Sequence, residues 1–81
     1  MQQEFRYVYQ VYKEGSISKA ARSLYITQPA LSIAIQKIED SIGLPLFDRS
    51  RHPLELTPAG RIYINTIEKM KNIDKELEQQ I

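Results

Sequence analysis

The chain is expected to be mainly α-helical, with three short helices packed into a core, a small β-hairpin and a long closing helix. Three observations carry that expectation. Between Ser16 and Ile42, two apolar-periodic segments are separated by a break too tight for an ordinary loop, which marks a helix-turn-helix. From Leu46 to Leu56 the pattern changes to short alternating segments, Phe47-Asp48-Arg49 and Leu54-Glu55-Leu56, around Ser50-Arg51-His52-Pro53. That is the sign of a hairpin, and beside a helix-turn-helix it reads as a wing. Thr57-Pro58 then opens a helix whose apolar positions run to the end of the chain. The expected fold is a winged helix-turn-helix, with a three-helix core and a β-hairpin wing, followed by a long closing helix.

Each element has its own local reason. Glu4 to Glu14 carries Phe5, Val8, Val11 and Tyr12 at helical spacing, and Gly15 ends it. Tyr7 and Tyr9 flank that stripe, where their rings cover the core edge or meet another subunit. The second helix repeats apolar residues at Ala20, Ala21 and Leu24, with Ser16 or Ser18 placed to cap it. The third restarts at the capping residue Thr27 with Pro29 in its first turn, where a missing N–H does no harm. Gly43 suits a left-handed C-terminal cap, and Pro45 prevents the helix from resuming. In the last helix Ile62, Tyr63, Ile67, Met70, Ile73, Leu77 and Ile81 form an apolar stripe. Roughly six turns exceed what so small a body can cover. The remainder is expected to meet its counterpart in a second chain, through Tyr63, Ile67, Met70, Ile73, Leu77 and Ile81. The alternative is a helix lying wholly on its own core. No cap follows Ile81, so the chain is expected to stop within or just beyond a helix, as a piece of something longer.

With 81 residues there is room for one domain with a marginal core, since a unit of this size buries only about 60–65% of the surface its unfolded chain exposes. The chain has no cysteine and one histidine, His52, which argues against a disulfide framework or a metal centre. The start MQQEFRYVYQ lacks a secretory layout, and no apolar run approaches the ~20 residues of a membrane span. A cytoplasmic protein without membrane contact is expected. An enzyme is not, because there is no glycine-rich phosphate cradle and no cluster of carboxylates with a partner base.

The net charge of +1 hides an uneven distribution. Ser16 to Lys37 holds Lys19, Arg22 and Lys37 with no acid, and Arg49 to Arg61 holds Arg49, Arg51 and Arg61 against Glu55. The acids collect at Glu39, Asp40, Asp48 and along the last helix. Charge alone suits a mixed solvated surface as well as a polyanion binder. A helical protein-interaction module is the competing reading. It accounts for the closing stripe but not for a basic second helix and a third with a polar outer face.

The run GSISKAARSLYITQPALSIAIQKIEDSIGLPLFDRSRHPLELTPAG, Gly15 to Gly60, resembles the N-terminal DNA-binding domain of the LysR-type transcriptional regulators. The resemblance is carried by Ala20-Ala21, Gln28-Pro29-Ala30-Leu31-Ser32, Ile38-Glu39, Gly43, Leu46-Phe47, Arg49 and Leu56-Thr57-Pro58-Ala59-Gly60, in order and without a gap. It implies a winged helix-turn-helix over residues 1–57 and a linker helix over 58–81 that pairs antiparallel with a second copy. Double-stranded DNA is the implied partner, and a higher oligomer of the full-length protein is allowed. A C-terminal effector domain that binds a small molecule is implied as well, absent here, with no cofactor in the present domain. The family's DNA contacts fall at the positions of Thr27, Gln28, Pro29 and Ser32.

A helical wheel centred on Leu31 agrees with that placement. Ile35, Ile38 and Ile42 lie within about 40° of it and define the buried face. Pro29, Ser32, Ile33, Gln36 and Asp40 lie opposite, with Lys37 at the edge. With the helix of about residues 28–42 in a major groove, Gln28, Pro29, Ser32, Ile33 and Gln36 are the expected base readers. The glutamine amides match adenine N6 and N7, and Ile33 suits thymine methyl groups, giving an A·T-biased half-site. Thr27 and its neighbouring N–H groups suit a phosphate. Lys19, Arg22 and Lys37 add phosphate contacts that set register. In the wing, about residues 46–56, Arg51 and His52 at the tip would meet the backbone or minor groove. Arg49 at the base would join them, or bridge wing and body instead.

Overall fold

A computed structural model describes residues 2–80, so the interface role expected for Ile81 lies outside the described residues. The order is α1 (Gln3–Glu14), α2 (Ile17–Ser23), α3 (Gln28–Ile42), β1 (Phe47–Asp48), β2 (Glu55–Leu56) and α4 (Pro58–Gln80). The two strands pair antiparallel, Phe47 with Leu56 and Asp48 with Glu55.

The helix ends follow from the residues that terminate them. Gly15 adopts φ +66° and donates its N–H to the Val11 carbonyl at 2.9 Å; Gly43, at φ +84°, does the same to Glu39 at 2.8 Å. Of the two serines, Ser16 is the cap of α2, accepting the Lys19 N–H at 3.2 Å. Thr27 caps α3 through the Ala30 N–H at 3.3 Å. Thr57 caps α4 through the Gly60 N–H at 3.0 Å, while its own hydroxyl donates to the Pro45 carbonyl at 2.6 Å. One side chain thus joins the start of α4 to the entry of the wing.

Val8 and Val11 of α1, Ala20 and Ala21 of α2, Leu31, Ile35 and Ile38 of α3, Leu46 and Phe47 of the wing, and Ile64 and Ile67 of α4 form one core. Gly60 lets the first turn of α4 close on the wing: a Cβ there would stand 2.0 Å from the Leu46 carbonyl oxygen. Phe5 meets Tyr63 edge to face with ring centroids 5.8 Å apart, and the Lys71 ammonium lies 4.1 Å from the Tyr9 ring centroid. Tyr9 therefore covers the core edge, tying α1 to α4.

Three expectations are corrected. Ile67 is 1% exposed and belongs to the core of its own protomer, so it has no surface left for a second chain. Ile64, which the apolar stripe passed over, lies beside it at full burial. Ile42 is 43% exposed despite its wheel position, because it borders an open groove beside Phe5, Leu46 and Tyr63. The helix lying wholly on its own core is also ruled out. Tyr63 and Met70 are half-buried, and every described residue of α4 beyond Met70 is exposed.

Candidate nucleic-acid interface

The outer face of α3 is built from the same periodicity that buries its inner face. Leu31, Ile35 and Ile38 point into the core, which leaves Gln28, Pro29, Gln36, Lys37 and Asp40 exposed and Ser32 half-buried. Ile33 stands 57% exposed in the middle of that row. Gln36 is not free to rotate at will: its amide nitrogen donates to Asp40 Oδ1 at 2.9 Å, one helical turn on.

One buried carboxylate governs how the wing sits against this helix. Glu39 of α3 is 4% exposed. Its Oε2 accepts the Leu46 and Phe47 N–H groups at 2.6 and 3.4 Å, and its Oε1 accepts Arg49 Nη1 at 3.0 Å. The carboxylate therefore satisfies the backbone where β1 begins, with the charge balanced by the guanidinium. Arg49 takes the second of the roles open to it, bridging wing and body. The sequence reading missed Glu39, whose backbone partners arrive only with tertiary folding. Its signals were an acid beside the core position Ile38 and the place of the Ile38-Glu39 pair in the family resemblance.

The wing is anchored at both ends. Leu54 donates its N–H to the Gly15 carbonyl at 2.9 Å, so the far strand leans on the α1–α2 turn. At the tip, hydrogen bonds from the Ser50 hydroxyl and then from its backbone N–H lower the Asp48 carboxyl below the usual range. Arg51 Nε lies 3.6 Å from Asp48 and 3.3 Å from Glu55. These are exposed, solvent-screened pairs, weak enough for Arg51 to exchange them for a phosphate. Between the start of α2, the start of α3 and the wing lies a cleft of about 340 Å³ lined by Ser18, Gln28, Arg49 and His52 among others. Three elements separated in sequence thus converge on one concave surface.

Lys19 and Arg22 on α2 and Lys37 on α3 are exposed and form no ion pair among the described residues. The α2–α3 turn holds a residue the sequence reading did not single out. Tyr25 is 95% exposed at φ +58°, in a turn closed by Tyr25 N–H to the Arg22 carbonyl at 3.2 Å and Ile26 N–H to Ala21 at 3.1 Å. So short a turn needs a left-handed residue, and Leu24-Tyr25-Ile26 offers no glycine.

A second exposed surface is apolar. Ile42, Leu44 and Ile62 border a groove of about 380 Å³ floored by Phe5, Leu46 and Tyr63, and Ile73 and Leu77 continue the exposed apolar row along α4. No described helix is long and apolar enough to cross a membrane.

Residues 2–61 match the family model of bacterial regulatory helix-turn-helix proteins of the lysR family. A probable RuBisCO transcriptional regulator of Cyanidioschyzon merolae is 54% identical over 50 residues, covering 62% of this chain and 16% of that protein. Its counterpart in Synechocystis is 37% identical over 73 residues, covering 90% of this chain and 21% of that one. The chain thus spans only a small part of the length of these relatives. Among solved structures, a complex of the BenM DBD with benA site 1 DNA superposes with a TM-score of 0.82 at 35% identity, covering 99% of this chain and 92% of that one. A CbnR DBD–DNA complex gives 0.80 at 25% identity, with 99% and 93% covered. With its helix-turn-helix, wing and closing helix all matched, the chain belongs to the LysR family of bacterial regulatory helix-turn-helix proteins.

Proposed function

We propose that the chain is the sequence-specific DNA-binding unit of a larger LysR-type transcriptional regulator, acting by recognition rather than catalysis. The observation that carries this reading is the outer row of α3, Gln28, Pro29, Ile33 and Gln36, exposed while the opposite face holds the core. A helix so presented fits a major groove, and the wing beside it reaches the backbone or the minor groove. Lys19, Arg22 and Lys37 supply phosphate contacts, joined by Thr27, Arg51 and His52. The BenM and CbnR structures, which contain DNA, support the same assignment.

Residues 1–57 form the reading head and 58–81 a linker that pairs with a second copy. Two reading heads then address inverted half-sites about 34–36 Å apart, or a multiple of that. A C-terminal effector domain completes the protein, and a small molecule bound there sets its activity. Its place of work is the cytoplasm, where its DNA target lies.

The reading is tested by selecting duplexes from a randomised library and measuring fluorescence anisotropy at several salt concentrations. Enrichment of a half-site, with log affinity falling steeply against log salt, is the expected result. No enrichment and no salt dependence would leave a helical interaction module.

A further inference from the structure

We infer that Asp40 is a positioning residue for base reading, holding the Gln36 amide so that its carbonyl oxygen leads into the groove. This rests on the DNA-binding reading above. The observation is the hydrogen bond from Gln36 Nε2 to Asp40 Oδ1 at 2.9 Å, between two exposed side chains on the outer row of α3.

The orientation follows from chemistry. A carboxylate accepts only, so the amide must turn its NH₂ toward Asp40; the flipped amide would set oxygen against oxygen. With one N–H committed, Gln36 has its Oε1 and one remaining N–H to offer a base. That pair complements adenine, whose N6 amino group donates and whose N7 accepts. Guanine presents acceptors at both O6 and N7, and thymine an acceptor at O4, each of which repels a leading amide oxygen. Asp40 therefore narrows the reading of a residue that would otherwise present either edge.

The charge of Asp40 strengthens the argument. It forms no ion pair among the described residues, and it is exposed on the outer row of α3, the face that the proposed function turns toward DNA. There it weakens attraction to every duplex alike. Removing Asp40 thus has two effects of opposite sign: general affinity rises, and discrimination at one base pair falls. A residue that merely stabilised the helix would lower affinity on all sequences together.

The test compares the wild-type chain with Asp40→Ala, Gln36→Ala and the double variant, on the duplex recovered by selection and on its single-base variants. Thermal melts by circular dichroism confirm that each variant folds. Gln36→Ala identifies the base pair under Gln36 by flattening the preference there. Asp40→Ala should bind a mixed-sequence duplex about two- to threefold more tightly. It should also reduce the adenine preference at that same base pair from about tenfold to about twofold. In the Gln36→Ala background, Asp40→Ala should leave the base profile unchanged. Full preference retained in Asp40→Ala, or no position flattened by Gln36→Ala, overturns the inference while the DNA-binding reading stands. A wild-type chain that selects no duplex overturns both.

Discussion

Glu39 and Arg49 sit on different elements, helix α3 and the base of the wing, and their side chains meet at 3.0 Å. The same carboxylate accepts the Leu46 and Phe47 N–H groups, so one buried charge orders the helix, the entry to β1 and the wing's basal arginine together. Helix and wing therefore present themselves to a ligand as one rigid piece.

Arg49→Ala leaves the Glu39 carboxylate with only its two backbone donors. Stripping the partner from a fully buried pair costs about 3–5 kcal/mol. Arg49 is 41% exposed, so solvent replaces part of what it supplied, and a loss of about 1–2 kcal/mol is expected. Urea denaturation reads that value, and a stability equal to wild type would remove the brace from the account.

Gly60→Ala is expected to cost more than helix propensity would gain. Alanine favours the helix by about 1 kcal/mol over glycine, but the new methyl would lie 2.0 Å from the Leu46 carbonyl oxygen, part of the backbone. The wing or α4 must shift, with a net loss of about 1–3 kcal/mol and a lower melting temperature. An unchanged or raised melting temperature would contradict the packing described.

Tyr25→Gly is expected to stabilise the fold. The ring has no packing to lose, and the left-handed backbone at φ +58° costs a non-glycine residue about 1 kcal/mol. The greater freedom of glycine in the unfolded chain offsets roughly 0.5–1 kcal/mol of this relief, leaving a net gain of up to about 0.5 kcal/mol. Thermal melts show whether the sign is right.

Two acids are expected to contribute to the pH dependence of stability. Glu14 is held below its usual range first by the Ser23 hydroxyl, then by Gln10, with Lys13 and Lys19 nearby; Asp48 is lowered by Ser50. Because both folded-state values are depressed, their stabilisation is complete above the ordinary carboxylate range and disappears as pH falls through the folded values. Ser23→Ala and Ser50→Ala should therefore lower stability at neutral pH and flatten its decline below about pH 4.5. Melting temperatures at pH 7, 4 and 3 check this, and parallel curves for variant and wild type would refute it.

Ile73 and Leu77 are exposed along the free length of α4. If a second copy covers them, Ile73→Glu with Leu77→Glu shifts sedimentation from dimer to monomer and leaves the helical content near wild type. A double variant that remains dimeric would place the interface elsewhere.

The fold was legible wherever local chemistry decides it. Gly15, Thr27, Gly43 and Thr57 each mark a helix boundary by their own conformational or hydrogen-bonding character, and the period of α3 separates Leu31, Ile35 and Ile38 from Ile33 and Gln36. What stayed hidden depends on distant partners. Glu39 is buried because the start of β1 arrives over it, Ile42 is exposed because the groove it borders is open, and Ile67 is enclosed as a member of the shared core. Tyr25 was overlooked because no pattern marks an exposed residue that absorbs the strain of a turn.

The central claim is that the outer row of α3 enters duplex DNA. Amide NMR shifts followed while a selected duplex is added to the labelled chain test it most directly. The account predicts that Thr27, Gln28, Ser32, Ile33 and Gln36 shift strongly, with Lys19 and Arg51 following and Val8 and Val11 barely moving. Changes confined to α4, with α3 unmoved at saturating DNA, would contradict it.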